Sequence, residues 1–395
     1  MLRFLTAGES HGPELTAILE GMVAGLPLSE EVLLPDMQRR QKGYGRGGRM
    51  GIERDRARIT AGVMNGMTTG GPIALTVENR DWRNWREREI EPFTTPRPGH
   101  ADLTGAIKYG YRELRLSLER ASARETAVRV AVGAICSQLL GQFGIVVGSY
   151  VTMIGGVEAE LPPVAATEDY EARFATAEEN EVRCPDPAVA KAMRARIKEA
   201  IQAKDTLGGI IEMVAIGVPP GLGSHVHYDR KLDGRLMGIV GSIPSVKGVE
   251  IGHAFANAAR QGTEVQDAIL RDEGGELHRA TNRAGGTEGG ITTGEAIIVR
   301  AAMKPISTTI TPIATVDLAT GEAADTVYER SDYCAVPRGA VVGEAVVAFV
   351  LADELLRKLG GDSLEEIRPR FDALRRSRLE DLPMDNRPWG FGYSD

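Results

Sequence analysis

The stretch from Glu119 to Gly144 reads ERASARETAVRVAVGAICSQLLGQFG, and it sets the fold class. Ser122 and Glu125 have the S-x-x-E spacing of a capping box, and Val128, Val132, Ile135 and Leu139 follow at helical spacing. Gly144 suits the left-handed residue that closes a helix. A long apolar helix is therefore expected here. On both sides lie runs rich in β-branched residues, RITAGV, PIALTVE, IVVGSYVTMIG, GGIIEMVAIGV and EAIIVRAAM, which predict strands. LTAILEGMVAG fits both periods and is assigned to a strand, while Leu28 to Gln41 reads as a helix with Ser29 at its N-cap.

Helices and strands thus mix along the whole chain. No low-complexity linker interrupts residues 1–395, so one continuous domain is expected, with a peripheral tail from about residue 377. A repeat is also visible. GMTTGGPIALTV resembles GGITTGEAIIVR, and ILEGMVAGLPL before a helix resembles IIEMVAIGVPPGL before DRKLDGRLMGIV, which suggests a duplicated strand and helix unit.

Composition narrows the function. The formal net charge of -8 argues against nucleic acid, whose binding is driven by neutralising phosphates. No run of about 18 apolar residues is present, and the N-terminus turns polar early, so a cytoplasmic protein with no membrane contact is expected. Cys136, Cys184 and Cys334 are far apart and lack CxxC spacing, which leaves no disulfide framework or zinc knuckle. The 47 glycines among 395 residues exceed the usual ~7% share, as loops that approach a ligand closely require.

Against that acidic background, Gln38 to Arg58 holds eight basic residues and two acidic ones. Arg39, Arg40, Arg46 and Arg49, spaced by glycines, suit a small polyanion gripped by forked guanidinium groups. The start of the Glu119 helix adds free N–H groups, with Arg120 and Arg124 beside them. Ser10 and His11 sit in the Gly-flanked TAGESHGPEL, and His100 follows two prolines and Gly99 in TTPRPGHADLTG. His225 and His227 of GSHVHYD would share one strand face, but with no third ligand evident no metal is assigned. A second glycine loop, Asn282 to Gly294, precedes MKPISTT, and Arg330, Ser331 and Asp332 stand just before another helix.

Seven segments, taken in order, resemble the chorismate synthase family. They are GESHG (Gly8 to Gly12), RRQKGYGRGGR (Arg39 to Arg49), RPGHAD (Arg97 to Asp102), ERASARETAVRVAVGA (Glu119 to Ala134), NRAGGTEGGITTG (Asn282 to Gly294), KPIST (Lys304 to Thr308) and RSDYCAVPR (Arg330 to Arg338). Residues around Pro162 to Asp186 and the tail after about Arg376 fall outside the pattern. The resemblance implies an α+β fold, a layered sandwich of two antiparallel sheets around a helical core with internal pseudo-duplication, assembled as a homotetramer. It also implies a lyase that converts 5-enolpyruvylshikimate 3-phosphate to chorismate and phosphate by anti 1,4-elimination, using reduced FMN without net oxidation.

Residue by residue, the resemblance places Ser10 and His11 at the departing phosphate, His100 at the flavin ring, and Asp332 as the carboxylate that relays the substrate proton. Arg40, Arg46, Arg49, Arg124 and Arg338 would clamp the anionic substrate. Arg120, Ala121, Ser122, Ala256, Asn257, Gly289, Lys304, Pro305, Ile306, Ser307, Thr308 and Arg330 would bind FMN. SLERASAR replaces the Gly-rich or second-Ser version seen in many members, so Ala121 can offer only backbone or methyl contact. Relatives differ in whether NADPH reduces their flavin, and nothing in the sequence separates the two cases.

Two rival classes rest on single stretches. Gly43, Gly45 and Gly48 match G-x-G-x-x-G, the mark of a dinucleotide oxidoreductase, although an Arg-rich helix end precedes them where a buried strand is needed. RDWRNWRERE could stack single-stranded RNA.

Overall fold

The computed structural model describes residues 1–47, 54–164, 166–329 and 331–393. Gly48, Arg49 and Arg330 from the sequence reading lie outside them. The helix expected after Ser122 is α4, Thr126–Gly141, entered through a 3-10 turn at Ala123–Glu125. The capping box does not form. Ser122 Oγ accepts from Arg124 N, and the Glu125 carboxylate turns away to Thr6 Oγ1 at 2.7 Å and to Arg129, because those tertiary donors compete successfully for it. At the far end Gly144 is left-handed, with φ +71.

Nor is α4 apolar on one face alone. Val130 and Ala134 are as buried as Val128, Val132, Ile135 and Leu139, since α4 lies between other layers. Its main partner is α10, Val336–Leu359, which is also buried along nearly its whole length. The two helices approach so closely that a Cβ on Gly133 would collide with Ala345. Outside α4 lies a four-stranded antiparallel sheet, and outside α10 a five-stranded one.

The first sheet has the order β1 (Arg3–Ala7), β2 (Glu14–Glu20), β6 (Ile73–Glu78), β3 (Ala57–Ala61), with a small hairpin, β4 (Val63–Met64) and β5 (Met67–Thr68), beside it. Its inward residues follow a period of two. Leu15, Ala17 and Leu19 of β2 and Ile73, Leu75 and Val77 of β6 are buried toward α4, whereas Leu5 and Ile18 pair across the outer face and stay exposed.

The second sheet runs β10 (Val246–Ile251), β15 (Ile297–Met303), β9 (Gly209–Ile216), β7 (Val146–Ile154), β8 (Val157–Glu158). Here β9 is buried on both faces, because α10 covers one and α5 (Thr167–Glu178) covers the other with Tyr170 and Phe174. Every strand expected from the sequence is present except the one that would have carried His225 and His227, and both sheets are entirely antiparallel. That excludes the parallel βαβ unit a dinucleotide fingerprint needs at Gly43. Gly43 and Gly45 instead serve packing: a Cβ on Gly45 would lie 3.0 Å from Ile197 and 3.2 Å from Cys334.

The two halves share a strand order. Chain order β1, β2, α1 (Glu30–Gln41), β3, β6, α4 builds the first sheet and its helix, and β7, β9, α7 (Leu232–Gly241), β10, β15, α10 builds the second. The echoing sequences fall on β2 and β9 and on β6 and β15, adjacent central pairs in their sheets. The remaining elements decorate this frame: α2 (Asp102–Tyr109), α3 (Arg115–Ala121), α6 (Pro187–Gln202), α8 (Ala254–Ala258), α9 (Gly262–Val265), α11 (Leu364–Asp372), and the hairpins β11 (Ile269–Arg271) with β12 (Leu277–Arg279) and β13 (Thr287–Glu288) with β14 (Ile291–Thr292).

His225 and His227 are not on a strand. Left-handed Gly221 and Gly223 break the extended run, and His227 pairs with Asp229 at 2.8 Å. No group of three His, Cys, Asp or Glu side chains able to hold a metal occurs among the described residues, nor is any helix among them long and apolar enough to cross a membrane.

Candidate active site

The loop between β1 and β2 carries Ser10 and His11. Gly8, left-handed at φ +106, packs so closely that a Cβ there would lie 2.6 Å from Glu14 O. Asn79, just past β6, ties the loop from behind by donating to Glu9 O at 3.0 Å and Gly12 O at 2.8 Å. In front, α3 holds it: Glu119 accepts from His11 N at 2.7 Å and meets His11 Nδ1 at 2.8 Å, and Glu119 O accepts from Ser10 N. The Trp85 ring lies 4.3 Å from the imidazole, and Ser122 Oγ meets Ser10 Oγ at 3.0 Å. Trp85 is therefore engaged with a histidine.

Behind Ser122 sits a buried guanidinium cluster. Arg40 is 1% exposed, with NH1 on Asp55 at 2.9 Å and Nε and NH2 on Thr126 Oγ1. Arg124 places NH1 on the other Asp55 oxygen at 2.6 Å, Nε on Asn79 Oδ1 and NH2 on Glu78 O. Burial pushes Arg40 down to about 9; Asp55 opposes that, while the charges of Arg338 and Arg124 add to it. Arg338 and Asp332 thus lie close enough to act on Arg40. They pair at 2.6 Å, and Asp332 also accepts from Gly47 N at 2.8 Å, which docks the basic loop on the segment before α10. Arg46 is exposed and donates to Gln41 O. The residues expected as open clamps are in part a paired interior: among the described residues, three guanidinium groups share two carboxylates, and the excess in that set is positive.

The second histidine belongs to a different cluster. Asp102 at the start of α2 takes Arg97 Nε at 2.8 Å and NH2 at 3.0 Å, and His100 Nδ1 at 2.6 Å. Arg97 NH2 also lies 3.1 Å from that Nδ1. Both contacts cannot be hydrogen bonds at once, and the shorter, charge-assisted one assigns the Nδ1 proton to Asp102. Although burial pushes Asp102 up, hydrogen bonds from His100 and Arg97 and their charges hold it far below the usual carboxylate range.

Arg97 NH1 donates to Thr308 Oγ1 at 2.9 Å, Ser307 Oγ donates to Gly99 O at 2.7 Å, and Lys304 Nζ donates to Ser307 Oγ at 2.8 Å. Ile306 O accepts from Thr206, and Pro305 O from Lys304 Nζ. The Lys304 to Thr308 run therefore docks on the His100 loop. One short helix links the two histidines: Glu119 of α3 holds His11, and Ser117 Oγ, two residues earlier, donates to Ala101 O beside His100 at 3.1 Å.

Other expected residues stand apart. Arg120 turns back onto β1 through Thr6 O and Gly8 O, and Ala121 ends α3. Ala256 and Asn257 lie on α8, where Asn257 donates to Arg283 O at 2.9 Å. Gly289, φ +60, and Gly290, φ +85, form the turn of the β13–β14 hairpin, where two left-handed residues match the strand twist.

The sequence profile described as "Chorismate synthase" matches residues 2–356. This chain belongs to the chorismate synthase family. Over 384 residues it is 52% identical to "Chorismate synthase" of Aquifex aeolicus, covering 94% of this chain and 96% of that one. It is 54% identical over 385 residues to the protein of that name from Thermus thermophilus, covering 95% and 98%. A solved structure titled "Crystal Structure of Chorismate Synthase" matches with a TM-score of 0.78 and 46% identity, over 94% of this chain and 96% of that one.

Five residues that hold the site together carry no role in the sequence reading: Asp55, Asn79, Arg97, Asp102 and Glu119. Asp55 is one of only two acids in the basic loop, and Asp102 follows His100 by two positions, so both left a signal. Glu119 and Asn79 left none, since their partners are 108 and 45 residues away. The donor set around Gly99 suits a polar, anionic cofactor: a Cβ there would stand 3.3 Å from Ser307 Oγ and 3.4 Å from Lys304 Nζ, so only glycine leaves that surface open.

Asp102 has a measurable signature. Its carboxyl is held below its ordinary 3.8, so the stability it adds is fully present above that value and is lost as pH falls toward the folded value. The unfolding free-energy gap between wild type and Asp102→Asn is expected to shrink as pH drops from about 6 to about 3, and a gap constant with pH would contradict the assignment.

Proposed function

We propose that this chain converts 5-enolpyruvylshikimate 3-phosphate to chorismate and inorganic phosphate by anti 1,4-elimination, the step from which aromatic amino acids are made, and that it acts in the cytoplasm. The observation that carries the reading is a family-matched histidine, His11, held by a carboxylate beside a net-positive guanidinium cluster. Such a surface suits a substrate with a phosphate and two carboxylates. Arg124, Arg338, Arg46 and Arg49 are assigned to clamp it, and Arg40, paired with Asp55, is too buried for an open face. Ser10 and His11 attend the departing phosphate, where an imidazole N–H can follow the developing charge. Asp332, which accepts from Gly47 N–H and pairs with Arg338, takes the proton that the substrate loses. His100, fixed by Asp102, serves the cofactor.

FMN, assigned to Arg120, Ala121, Ser122, Ala256, Asn257, Gly289, Lys304 to Thr308 and Arg330, supplies in its reduced form the electron density that lets an unactivated allylic phosphate leave. Burial, and then the charge of Lys247, push Lys304 down, an environment that an anionic group would reverse. Lys304 and Asn257 follow opposite ends of the β15–β10 pair, so one chain presents the set in two pieces. We assign the completed site to a homotetramer, supported by the exposed Leu5 and Ile18 on the uncovered sheet face. The shared strand order of the two halves likewise supports a single duplicated domain, a sandwich of two sheets around the α4 and α10 core.

Anaerobic mixing of the protein with chemically reduced FMN and substrate is expected to release phosphate without consuming NADPH. Absence of phosphate would sink the reading. NADPH oxidation by the purified protein with FMN separates self-reduction from an external donor.

A further inference from the structure

Glu119 spends both carboxylate oxygens on one residue. Oε2 accepts from His11 N at 2.7 Å, Oε1 meets His11 Nδ1 at 2.8 Å, and its own carbonyl takes Ser10 N at 3.1 Å. Side-chain exposures of 16% for His11 and 13% for Glu119 keep this pair largely out of water, where the contact is strongest. Burial pushes the Glu119 carboxyl up, but the hydrogen bond and charge of His11, its backbone N–H and Arg115 outweigh that and hold it below the usual range.

Among the described residues, the charges behind Trp85 act in the opposite sense. Trp85 covers the ring at 4.3 Å, and behind Trp85 stand Arg88 at 5.3 Å and Arg115 at 5.6 Å from its centroid. Arg115 also lies 3.8 Å from Glu119 Oε1 and 3.4 Å from Glu329. Within the loop itself, Glu9 folds back against Gly12. Of these groups only Glu119 touches the imidazole with negative charge.

The His100 pair differs in kind. Asp102 divides its charge between His100 and a two-point contact from Arg97, so a cation already neutralises it. Glu119 has only the looser Arg115 contact to share with His11.

We propose that Glu119 is a positioning residue for the elimination: it accepts a hydrogen bond from Nδ1–H of His11, directs Nε2 to the proton work, and stabilises the imidazolium that meets the departing phosphate. This rests on the phosphate-releasing reading above. An amide cannot do the same, because it accepts from only one of the two His11 donors and carries no charge.

The test uses the full-length protein with chemically reduced FMN and 5-enolpyruvylshikimate 3-phosphate. Glu119→Gln is expected to lower kcat roughly 10-fold to 100-fold, part of the range an acid–base group supplies, with KM little changed. The alkaline limb of its kcat profile is expected at lower pH, since the form lost there is the imidazolium. Glu119→Asp, which keeps the charge, is expected to restore the position of that limb at least in part. A kcat and alkaline limb equal to wild type would overturn the proposal. NMR titration of the His11 ring, assigned by its absence in His11→Asn, runs without substrate. There Glu119→Gln is expected to lose the imidazolium at lower pH than wild type, and coincident titrations would overturn the proposal even if no phosphate were released. Absence of phosphate from wild type with the expected titration shift would instead fault the functional reading alone.

Discussion

His11→Ala is expected to bind FMN and substrate as wild type does and to turn over roughly 10²-fold to 10⁴-fold more slowly, the share of rate that a positioned acid–base group supplies. Binding persists because main-chain contacts hold the loop: Ser10 N to Glu119 O, His11 N to Glu119 Oε2, Gly12 N to Glu9 O, and Asn79 to both Glu9 O and Gly12 O. None of these uses the imidazole. What disappears is the ring between Trp85 and Glu119, and with it the N–H proposed to meet the leaving group. A kcat loss with KM preserved marks an interaction realised in the transition state. The measurement is anaerobic phosphate release against a flavin titration of the same preparation. Turnover within a few-fold of wild type would remove His11 from the chemistry.

Much of the frame is legible because burial imposes a period. β2 and β6 alternate since one sheet face is covered, and α4 and α10 are apolar because sheets and helices enclose them. Local rules fail where a distant partner competes. Ser122 and Glu125 have the right spacing for a capping box, yet Thr6, 119 residues away, takes the carboxylate. Charge is misread in the same way. In sequence Arg40 reads with its neighbours as an open clamp for an anion, and nothing local says that it turns inward to meet Asp55 and Thr126. The histidines stand out through their glycines, and Asp102 through its place two residues after His100, but the carboxylate that orients His11 does not. Glu119 resembles any helical surface acid until the fold brings His11 against it.

Asp55 is the residue whose loss should cost the fold most. Its side chain is fully buried, and each oxygen serves a different guanidinium, Arg40 NH1 at 2.9 Å and Arg124 NH1 at 2.6 Å. Asp55→Ala leaves two cations in the interior without their shared counter-charge, a loss of about 3–5 kcal/mol for a broken buried pair. A fall in Tm of roughly 4–6 °C is expected in scanning calorimetry. The penalty is one of charge, because burial disfavours the Arg40 cation and Asp55 is the main charge that opposes this. Asp55→Asn, which keeps the volume and removes the charge, is therefore expected to lose nearly as much stability as Asp55→Ala, where a merely cavity-forming effect would spare it.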